Sequence, residues 1–560
     1  MNASKLIISV SVLAIIGLLL PRASLAQTDG QSYEALVTLY DDFLQWQDEA
    51  RAKRAVPNRD IAGEAAQLYP DYGDEAVALR LDEMEALQRR FDTIEPEAWS
   101  TAQQVDYLAV RSRLDQHEFT LSISRPWARD PGFYVDRMLR VTFADLPLNE
   151  DDTAVLRTRL AAIALLAEAG KENLDEVAAD YADLALFNLT NADGVGHGYP
   201  YRATPPAGVI GWYEDFLARA REAQPALVPD IESTQQAVVD FNQWLKDNRP
   251  TMTAEAGVGK EHFNWYLKHV KLMPYDTEQI VTLGLRELDR LWAVYGLEQH
   301  RNRDLPPLLL SESEEEYKRR IAAIDTMIRE FLVESEIITV PDDIGELATN
   351  APWIVRSNGP NFWEQVQFRD PTPDHLHAVI PGHRFDGVLE QRNEHPIRGR
   401  LMSGARAEGW ATYLEEAMMH AGLDMAPRTR ELIYIFGIFR AARVPADVWL
   451  QTNEMTVDEA VTWWRERVPY LDEDVARVDA EIYLRRPPGY GLGYTIGMLQ
   501  MQRLLADRKR QLGDDFVLKD FHDTFMESGR LPLSLLRWEM TGQDDEIVML
   551  WPRERLAEVR

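Results

Sequence analysis

Apolar residues recur three and four positions apart along most of this chain, with acidic and basic residues between them. This spacing places the apolar side chains on one face of a helix, as in amphipathic helices packed on a core. Asp276 gives a typical helix start, and Gly296 and Gly422 give typical helix ends. The periodicity therefore predicts a mainly α-helical protein. Its clearest segments are 153–170, 211–223, 277–296, 314–334 and 406–422.

Two segments depart from the helical pattern. Residues 362–368 alternate between apolar and polar side chains and are bounded by turn-forming residues, which favours a short strand. Residues 191–208 are rich in glycine, proline and aromatic residues, which predicts a long surface loop or lid. We therefore expect a small β element just before the histidine-rich segment.

The first 26 residues have the pattern of a secretory signal peptide. Lys5 precedes an apolar run over 6–20, and small residues at 24–26 form a cleavage site after Ala26. The run falls short of the roughly 20 apolar residues that span a bilayer, so an uncleaved anchor is the weaker alternative. A lipoprotein is not expected, because lipidation needs a cysteine and the sequence has none. We predict a periplasmic or secreted protein without membrane contact after cleavage.

Composition excludes several classes of protein. The 92 acidic and 60 basic residues give a formal charge of -32, and no concentrated basic face suited to nucleic acid is present. The lack of cysteine excludes disulfides, thiolate nucleophiles and cysteine-bound metals. Any metal must therefore be held by histidine or carboxylate side chains.

The chain is too long for one hydrophobic core. Cores stop growing at roughly 250–300 residues, and this chain has 560. No linker or repeat marks a clean boundary. After the signal peptide over 1–26, we expect an N-terminal helical lobe over 27–235 and a C-terminal helical lobe over 236–560.

A histidine pair lies in the C-terminal lobe, within the segment His377-Ala-Val-Ile-Pro-Gly-His383. Zinc peptidases commonly place two histidines four residues apart on a helix. A spacing of six turns the second ring by about 240° on an uninterrupted helix, away from the first. Pro381 and Gly382 favour a kink or a two-residue bulge, which would bring the rings together. Otherwise the residues are polar histidines near a helix break.

A carboxylate suited to complete such a site follows on the next predicted helix. Glu408, Thr412 and Glu415 form one polar stripe on an otherwise apolar helix. A glutamate on a second helix is the expected third ligand when two histidines precede it. We predict a zinc site made by His377, His383 and Glu408. A solvated stripe is the alternative.

Further motifs follow in order along the chain. They are His377 with Pro381, Gly382 and His383; residues 408–411 with Tyr413 and Glu415; residues 440–443 with Asp447; Pro488 and Gly489 with Tyr494 and Gly497; and residues 521–523. From Gly259 to Gly542 this order resembles the domain of unknown function 885 family, bacterial proteins regarded as zinc-metallopeptidase-like. The resemblance implies a large helical metallopeptidase-like fold with a central cleft.

The resemblance also implies roles for residues outside the ligand set. Tyr494 would donate its hydroxyl to an oxyanion, although it could equally be a packed tyrosine. Arg440 and Arg443 would bind a substrate carboxylate. A structural ion pair between Arg443 and Asp447, four residues apart, is the favoured alternative.

The sequence departs from the family pattern at the position of the general base. Ala378 stands where the family has a glutamate, and an alanine side chain cannot accept a proton. Loss of a positioned base typically lowers the rate by about 10² to 10⁴. Asp374, Asp386 and Glu364 are the carboxylates nearby in sequence, and Asp374 or Asp386 is the expected replacement.

Three hypotheses follow. The first is a catalytically degenerate metallopeptidase-like protein that keeps a cleft for a peptide or small-molecule ligand. The second is an active zinc-dependent hydrolase of small peptides that uses Asp374 or Asp386 as its base. The third is a metal-free helical scaffold or binding protein. A serine hydrolase is not expected, because the Gly-x-Ser-x-Gly motif is absent.

Overall fold

A computed structural model describes residues 32–52, 65, 68–192, 200, 202, 204–349, 352–356 and 359–559. The signal peptide predicted over 1–26 lies outside these residues. Much of the loop predicted over 191–208 also lies outside them. The described residues are mainly helical, as the sequence predicts.

The helices of the N-terminal part are α1 to α9. Their bounds are Tyr33–Ala52, Asp74–Phe91, Thr101–Phe119, Pro126–Arg129, Gly132–Leu139, Glu150–Asn173, Ala179–Thr190, Gly208–Ala223 and Val228–Asn248. A π-helical turn, Thr120–Ser124, follows α3. Helix α9 runs through the predicted lobe boundary at residue 235, and that boundary stays a prediction.

The helices of the C-terminal part are α10 to α23. Their bounds are Lys260–His269, Thr277–Arg301, Glu314–Glu334, Phe362–Gln367, Thr372–Ala378, His383–Glu390, Gly404–Ala421, Thr429–Gln451, Val457–Arg467, Glu473–Arg485, Leu492–Leu512, Leu518–Glu527, Leu533–Thr541 and Asp545–Leu550. No helix among the described residues has the length and apolar character needed to cross a bilayer.

The β element expected over 362–368 is wrong. The segment forms α13, and the described residues contain an isolated bridge between Ala178 and Ala254 but no named strand. Asn361 Oδ1 accepts the backbone N–H of Glu364 at 3.1 Å, and Glu364 Oε2 accepts the backbone N–H of Asn361 at 3.0 Å. This reciprocal capping box starts a helix. The same segment also places buried apolar side chains four residues apart, which is a helical spacing.

Two of the three predicted helix boundaries are confirmed. Asp276 caps α11 through the backbone N–H of Gln279 at 2.8 Å, and Gly422 ends α16 in the left-handed conformation with φ 105°. Gly296 does not end α11, which continues to Arg301. A glycine inside a helix costs only about 1 kcal/mol relative to alanine, and the packing of α11 against α17 sustains the helix.

Helices α16 and α20 pack closely along their lengths. A Cβ atom on Gly409 would lie 2.5 Å from the carbonyl carbon of Gly497, and one on Gly497 would lie 2.3 Å from the oxygen of Ala405. Glycine at both positions therefore permits the two backbones to touch. The contact holds the helix of Glu408 beside the helix of Tyr494.

Candidate metal centre

The two predicted histidine ligands lie on either side of a helix break. His377 is in the last turn of α14, and His383 is the first residue of α15. The Ile380–Pro381 peptide bond in the connection is cis. A Cβ atom on Gly382 would lie 1.8 Å from the carbonyl oxygen of His377, so only glycine fits there. The expected kink or bulge within one helix is therefore wrong, because the helix ends and a new one begins.

The break brings both imidazoles to the carboxylate of Glu408 on α16. His377 Nε2 lies 3.2 Å from His383 Nε2, and His383 Nε2 lies 3.1 Å from Glu408 Oε2. The third side of this triangle, from His377 Nε2 to Glu408 Oε2, is 3.5 Å. Among the described residues, these three form a group able to hold a metal ion.

The spacing of these atoms fits one zinc ion. Donor atoms bonded at ~2.0–2.1 Å to one tetrahedral zinc lie about 3.3–3.4 Å from one another. The three observed separations, 3.1, 3.2 and 3.5 Å, bracket that value. Two imidazole nitrogens and one carboxylate oxygen are also a ligand set that zinc accepts in proteins. The residues present therefore fit the metal.

A second carboxylate lies behind His377. Glu415 Oε1 lies 2.9 Å from His377 Nδ1, and Arg440 Nη1 donates to Glu415 Oε2. Metal-binding histidines commonly direct their second nitrogen to a carboxylate, which fixes the ring and its tautomer. Glu415 thus stands where an outer-layer partner of a ligand is expected, two helical turns after Glu408.

The electrostatics of the cluster favour a cation. Burial raises the pKa of the Glu408 carboxyl, but hydrogen bonds with His377 and His383 outweigh burial and hold that pKa well below its usual value. Burial and Arg440 lower the pKa of His377, but the carboxylates of Glu408 and Glu415 outweigh them and raise it. The two carboxylates therefore favour positive charge between the rings.

A cavity of about 330 Å³ opens at the cluster. Its lining includes the three candidate ligands together with Asp374, Ala378 and Tyr494. Ala378 follows His377 directly, and Asp374 lies one turn earlier on the same helix. Ala378 therefore lines the cavity at the position where the resembled family has its glutamate.

The second candidate base, Asp386, is held away from the cavity by two arginines. Its carboxylate accepts from Arg406 Nη1 at 2.5 Å and from Arg530 Nε at 3.0 Å. Burial raises the pKa of Asp386, but both guanidiniums outweigh burial and hold the pKa below its usual value. A carboxylate so paired and outside the cavity lining does not fit the predicted role of general base.

Two tyrosines reach the cluster from the α20 side. The Tyr494 ring stacks parallel to the His377 ring, with ring centres 6.2 Å apart. Burial raises the pKa of the Tyr494 hydroxyl well above its usual value, so the hydroxyl keeps its proton. The Tyr490 hydroxyl lies 3.5 Å from both Glu408 Oε1 and the Tyr494 hydroxyl. Tyr494 can therefore donate into the cavity.

The two predicted substrate-binding arginines line the cavity, but each already has a carboxylate partner. Arg440 is paired with Glu415, as described above. Arg443 binds Asp479 on α19, with Nη2 3.0 Å from Oδ2. The alternative of an Arg443–Asp447 ion pair is wrong, because Asp447 instead accepts the backbone N–H of Gly491 at 2.6 Å. These pairs leave little capacity for a substrate carboxylate.

Sequence reasoning missed three contributors to the site. Glu415 was visible as part of the polar stripe, but its contact with His377 was not. Trp410 donates its indole N–H to the carbonyl of Pro381 at 2.9 Å. Tyr490 contacts Glu408 and Tyr494 through its hydroxyl. Each contact joins helices that are distant in sequence, so no local pattern reveals it.

Fold and site together define an α-helical protein with a His–His–Glu cluster at a cavity. The chain belongs to the family described as "Bacterial protein of unknown function (DUF885)", which matches residues 58–296 and 373–540. No curated protein is similar enough in sequence to count as a match.

Two solved structures share the fold. A putative lipoprotein of unknown function from Shewanella oneidensis is 14% identical, with a TM-score of 0.68 over 91% of this chain and 99% of that one. A putative lipoprotein from Colwellia psychrerythraea is 17% identical, with a TM-score of 0.65 over 90% and 98% of the two chains. At these identities the likeness concerns the fold alone.

Proposed function

We propose that this protein binds one zinc ion through His377, His383 and Glu408, and that its cavity binds short peptides. The observation that carries the proposal is the triangle of donor atoms, with sides of 3.1, 3.2 and 3.5 Å. The Nδ1 contact with Glu415 supports it, because a proton on Nδ1 leaves the Nε2 lone pair directed into the cluster.

The chemistry expected of the site is that of a metallopeptidase-like hydrolase without its usual base. A bound zinc ion supplies a Lewis acid that polarises a carbonyl group. Tyr494 offers a protonated hydroxyl beside His377, suited to stabilise a developing oxyanion. Ala378 offers no proton acceptor. We therefore infer a catalytically degenerate protein that still binds its ligand but no longer hydrolyses it efficiently.

An active peptidase is the second candidate, because Asp374 lines the same cavity one turn before Ala378. In this hypothesis Asp374 takes the place of the missing glutamate, because it lines the cavity and Asp386 does not. The cavity, about 330 Å³, lies at the low end of the ~300–1,000 Å³ typical of small-molecule sites. Either reading therefore favours small peptides over folded proteins.

Zinc analysis of the purified protein tests the proposal. We expect about one tightly bound zinc ion per chain in the parent, and well under half of that in His383→Ala and in Glu408→Gln. His420→Ala is the matched control, because His420 lies at the far end of α16 and its side chain is 69% exposed. A parent without zinc would favour a metal-free scaffold, and variants that keep their zinc would show that other residues bind it.

The cellular location is part of the same proposal. The two similar structures are both described as putative lipoproteins, and residues 1–26 have the pattern of a signal peptide. These observations support a periplasmic or secreted protein. Fractionation of expressing cells tests this, and recovery of the uncleaved chain in the cytoplasm would contradict it.

A further inference from the structure

Arg486 differs from the other arginines that line the cavity. Arg356 binds Glu364 at 2.8 Å, Arg443 binds Asp479 at 3.0 Å, and Arg440 binds Glu415. Arg486 follows the last residue of α19, is exposed, and has no carboxylate partner among the described residues. Among the described arginines that line the cavity, Arg486 is the one without a carboxylate partner.

The Arg486 side chain is held in position by an aromatic ring. Its guanidinium carbon lies 4.6 Å from the centre of the Tyr490 ring. A guanidinium over an aromatic face is attracted by the ring and keeps its edge free for hydrogen bonds. Tyr490 therefore orients the guanidinium without satisfying its N–H groups.

Tyr490 contacts both Arg486 and one of the candidate metal ligands. The Tyr490 hydroxyl is 3.5 Å from Glu408 Oε1, and the Arg486 guanidinium lies over the face of the same ring. One tyrosine side chain and two contacts thus separate the cation from the cluster. An extended peptide spans ~3.3–3.6 Å per residue, so a few residues bridge this gap.

We propose that Arg486 binds the carboxylate of a short peptide whose backbone extends towards His377, His383 and Glu408. A guanidinium matches a carboxylate with two parallel N–H···O bonds, which gives direction as well as affinity. The formal charge of -32 makes the protein surface as a whole unfavourable for anions. An unpaired arginine at the cavity therefore makes the cavity a preferred position for a carboxylate. This inference rests on the proposed peptide-binding function and names its specificity residue.

Binding measurements with matched peptides test the assignment. The zinc-loaded protein is titrated calorimetrically with Ala-Ala-Ala, with its C-terminal amide, and with Ala-Ala-Glu amide. The free acid is expected to bind about tenfold or more tightly than the first amide, since only the free acid offers a charged carboxylate to the guanidinium. Tighter binding of the glutamate-containing amide would assign the carboxylate to a side chain rather than to the C-terminus.

The variant Arg486→Gln is expected to remove the preference for the free acid, and Arg486→Lys is expected to restore only part of it. Arg508→Gln is the matched control, because Arg508 donates to Gln511 and lies outside the cavity lining. Equal binding of acid and amide by the parent, or no binding of any peptide, overturns the inference. Zinc content measured on the same samples separates this outcome from failure of the metal site.

Discussion

The indole N–H of Trp410 donates a 2.9 Å hydrogen bond to the carbonyl oxygen of Pro381. This contact joins α16, which carries Glu408, to the connection between the two histidines. Trp410 is fully buried, and its ring also packs against His522 and Phe525. The bond therefore links the position of the third candidate ligand to the break that brings the first two together.

Replacement of this tryptophan is predicted to loosen the metal site while the fold persists. Trp410→Phe removes the indole donor, and loss of an outer-layer contact typically lowers metal affinity by about 10- to 100-fold. Zinc affinity measured by competition with a chelator checks this. Trp265→Phe is the control, because Trp265 is also buried and donates to a distant carbonyl, that of Glu554, at 2.9 Å. Equal losses in both variants would show that the effect is general destabilisation.

Glu415 is predicted to control zinc affinity without binding the metal. Glu415→Gln keeps the shape of the side chain but removes the charge that faces His377 Nδ1 at 2.9 Å. We expect zinc affinity to fall by about 10- to 100-fold. The melting temperature is also expected to fall, because Arg440 is left buried without its charged partner. Glu416→Gln is the control, since the neighbouring Glu416 pairs with Arg290 instead. Unchanged zinc affinity would assign Glu415 to the Arg440 pair alone.

Restoring a carboxylate at position 378 is predicted to create or raise peptidase activity. In Ala378→Glu the new side chain enters the cavity beside His377, and a positioned base contributes about 10² to 10⁴ in rate. Release of amino groups from short peptides measures it, with Ala378→Gln as the control of equal size. If the parent already cleaves peptides and Asp374→Asn stops the cleavage, the protein is an active peptidase and not a catalytically degenerate one.

A buried histidine outside the site is predicted to make stability depend on pH. His522 Nδ1 donates to the carbonyl of Ile337 at 2.8 Å, and Nε2 accepts from the Tyr413 hydroxyl at 3.0 Å. Burial lowers the pKa of His522 to about 4. The unfolded chain, with a histidine pKa near 6.5, therefore binds the proton first as the pH falls.

The stabilisation from neutral His522 is thus complete above about pH 6.5 and is lost as the pH falls towards 4. The loss reaches on the order of 3 kcal/mol in the free energy of unfolding. His522→Gln is expected to melt at a lower temperature at pH 8 but to lose less stability between pH 7 and pH 4.5. His420→Gln, at a largely exposed position, is expected to follow the parent. A His522→Gln slope equal to that of the parent would contradict the assignment.

Most of the helical architecture was accessible from the sequence, because helical periodicity is a local property. The segments at 277 and 314 begin helices at those residues, and Asp276 caps the first of them as predicted. The strand prediction for residues 362–368 was wrong, because the apolar residues there fit both a strand and a short helix. The capping box formed by Asn361 and Glu364 stabilises the start of the helix. The same pair occurs in the sequence as Asn-x-x-Glu and was the signal that could have corrected the prediction.

The candidate ligands also came from the sequence, but their partners did not. The residue types and order singled out His377, His383 and Glu408. Asp386 looked like a candidate base until its two arginine partners, Arg406 and Arg530, were visible. Arg443 looked paired with Asp447 but instead binds Asp479. An ion pair forms with whichever opposite charge the packing brings within reach, and sequence separation does not set that distance.

The sequence alone determined that this protein is helical, that any metal must be bound by histidine and carboxylate groups, and that alanine occupies the position of the expected base. The tertiary structure decided whether two imidazoles six residues apart meet a carboxylate 25 residues further on. It did so through the helix break at Pro381–Gly382 and the contact of Gly409 with Gly497. The physical reason is that a metal site needs donor atoms a few ångströms apart, and only the packing of whole helices sets distances that small.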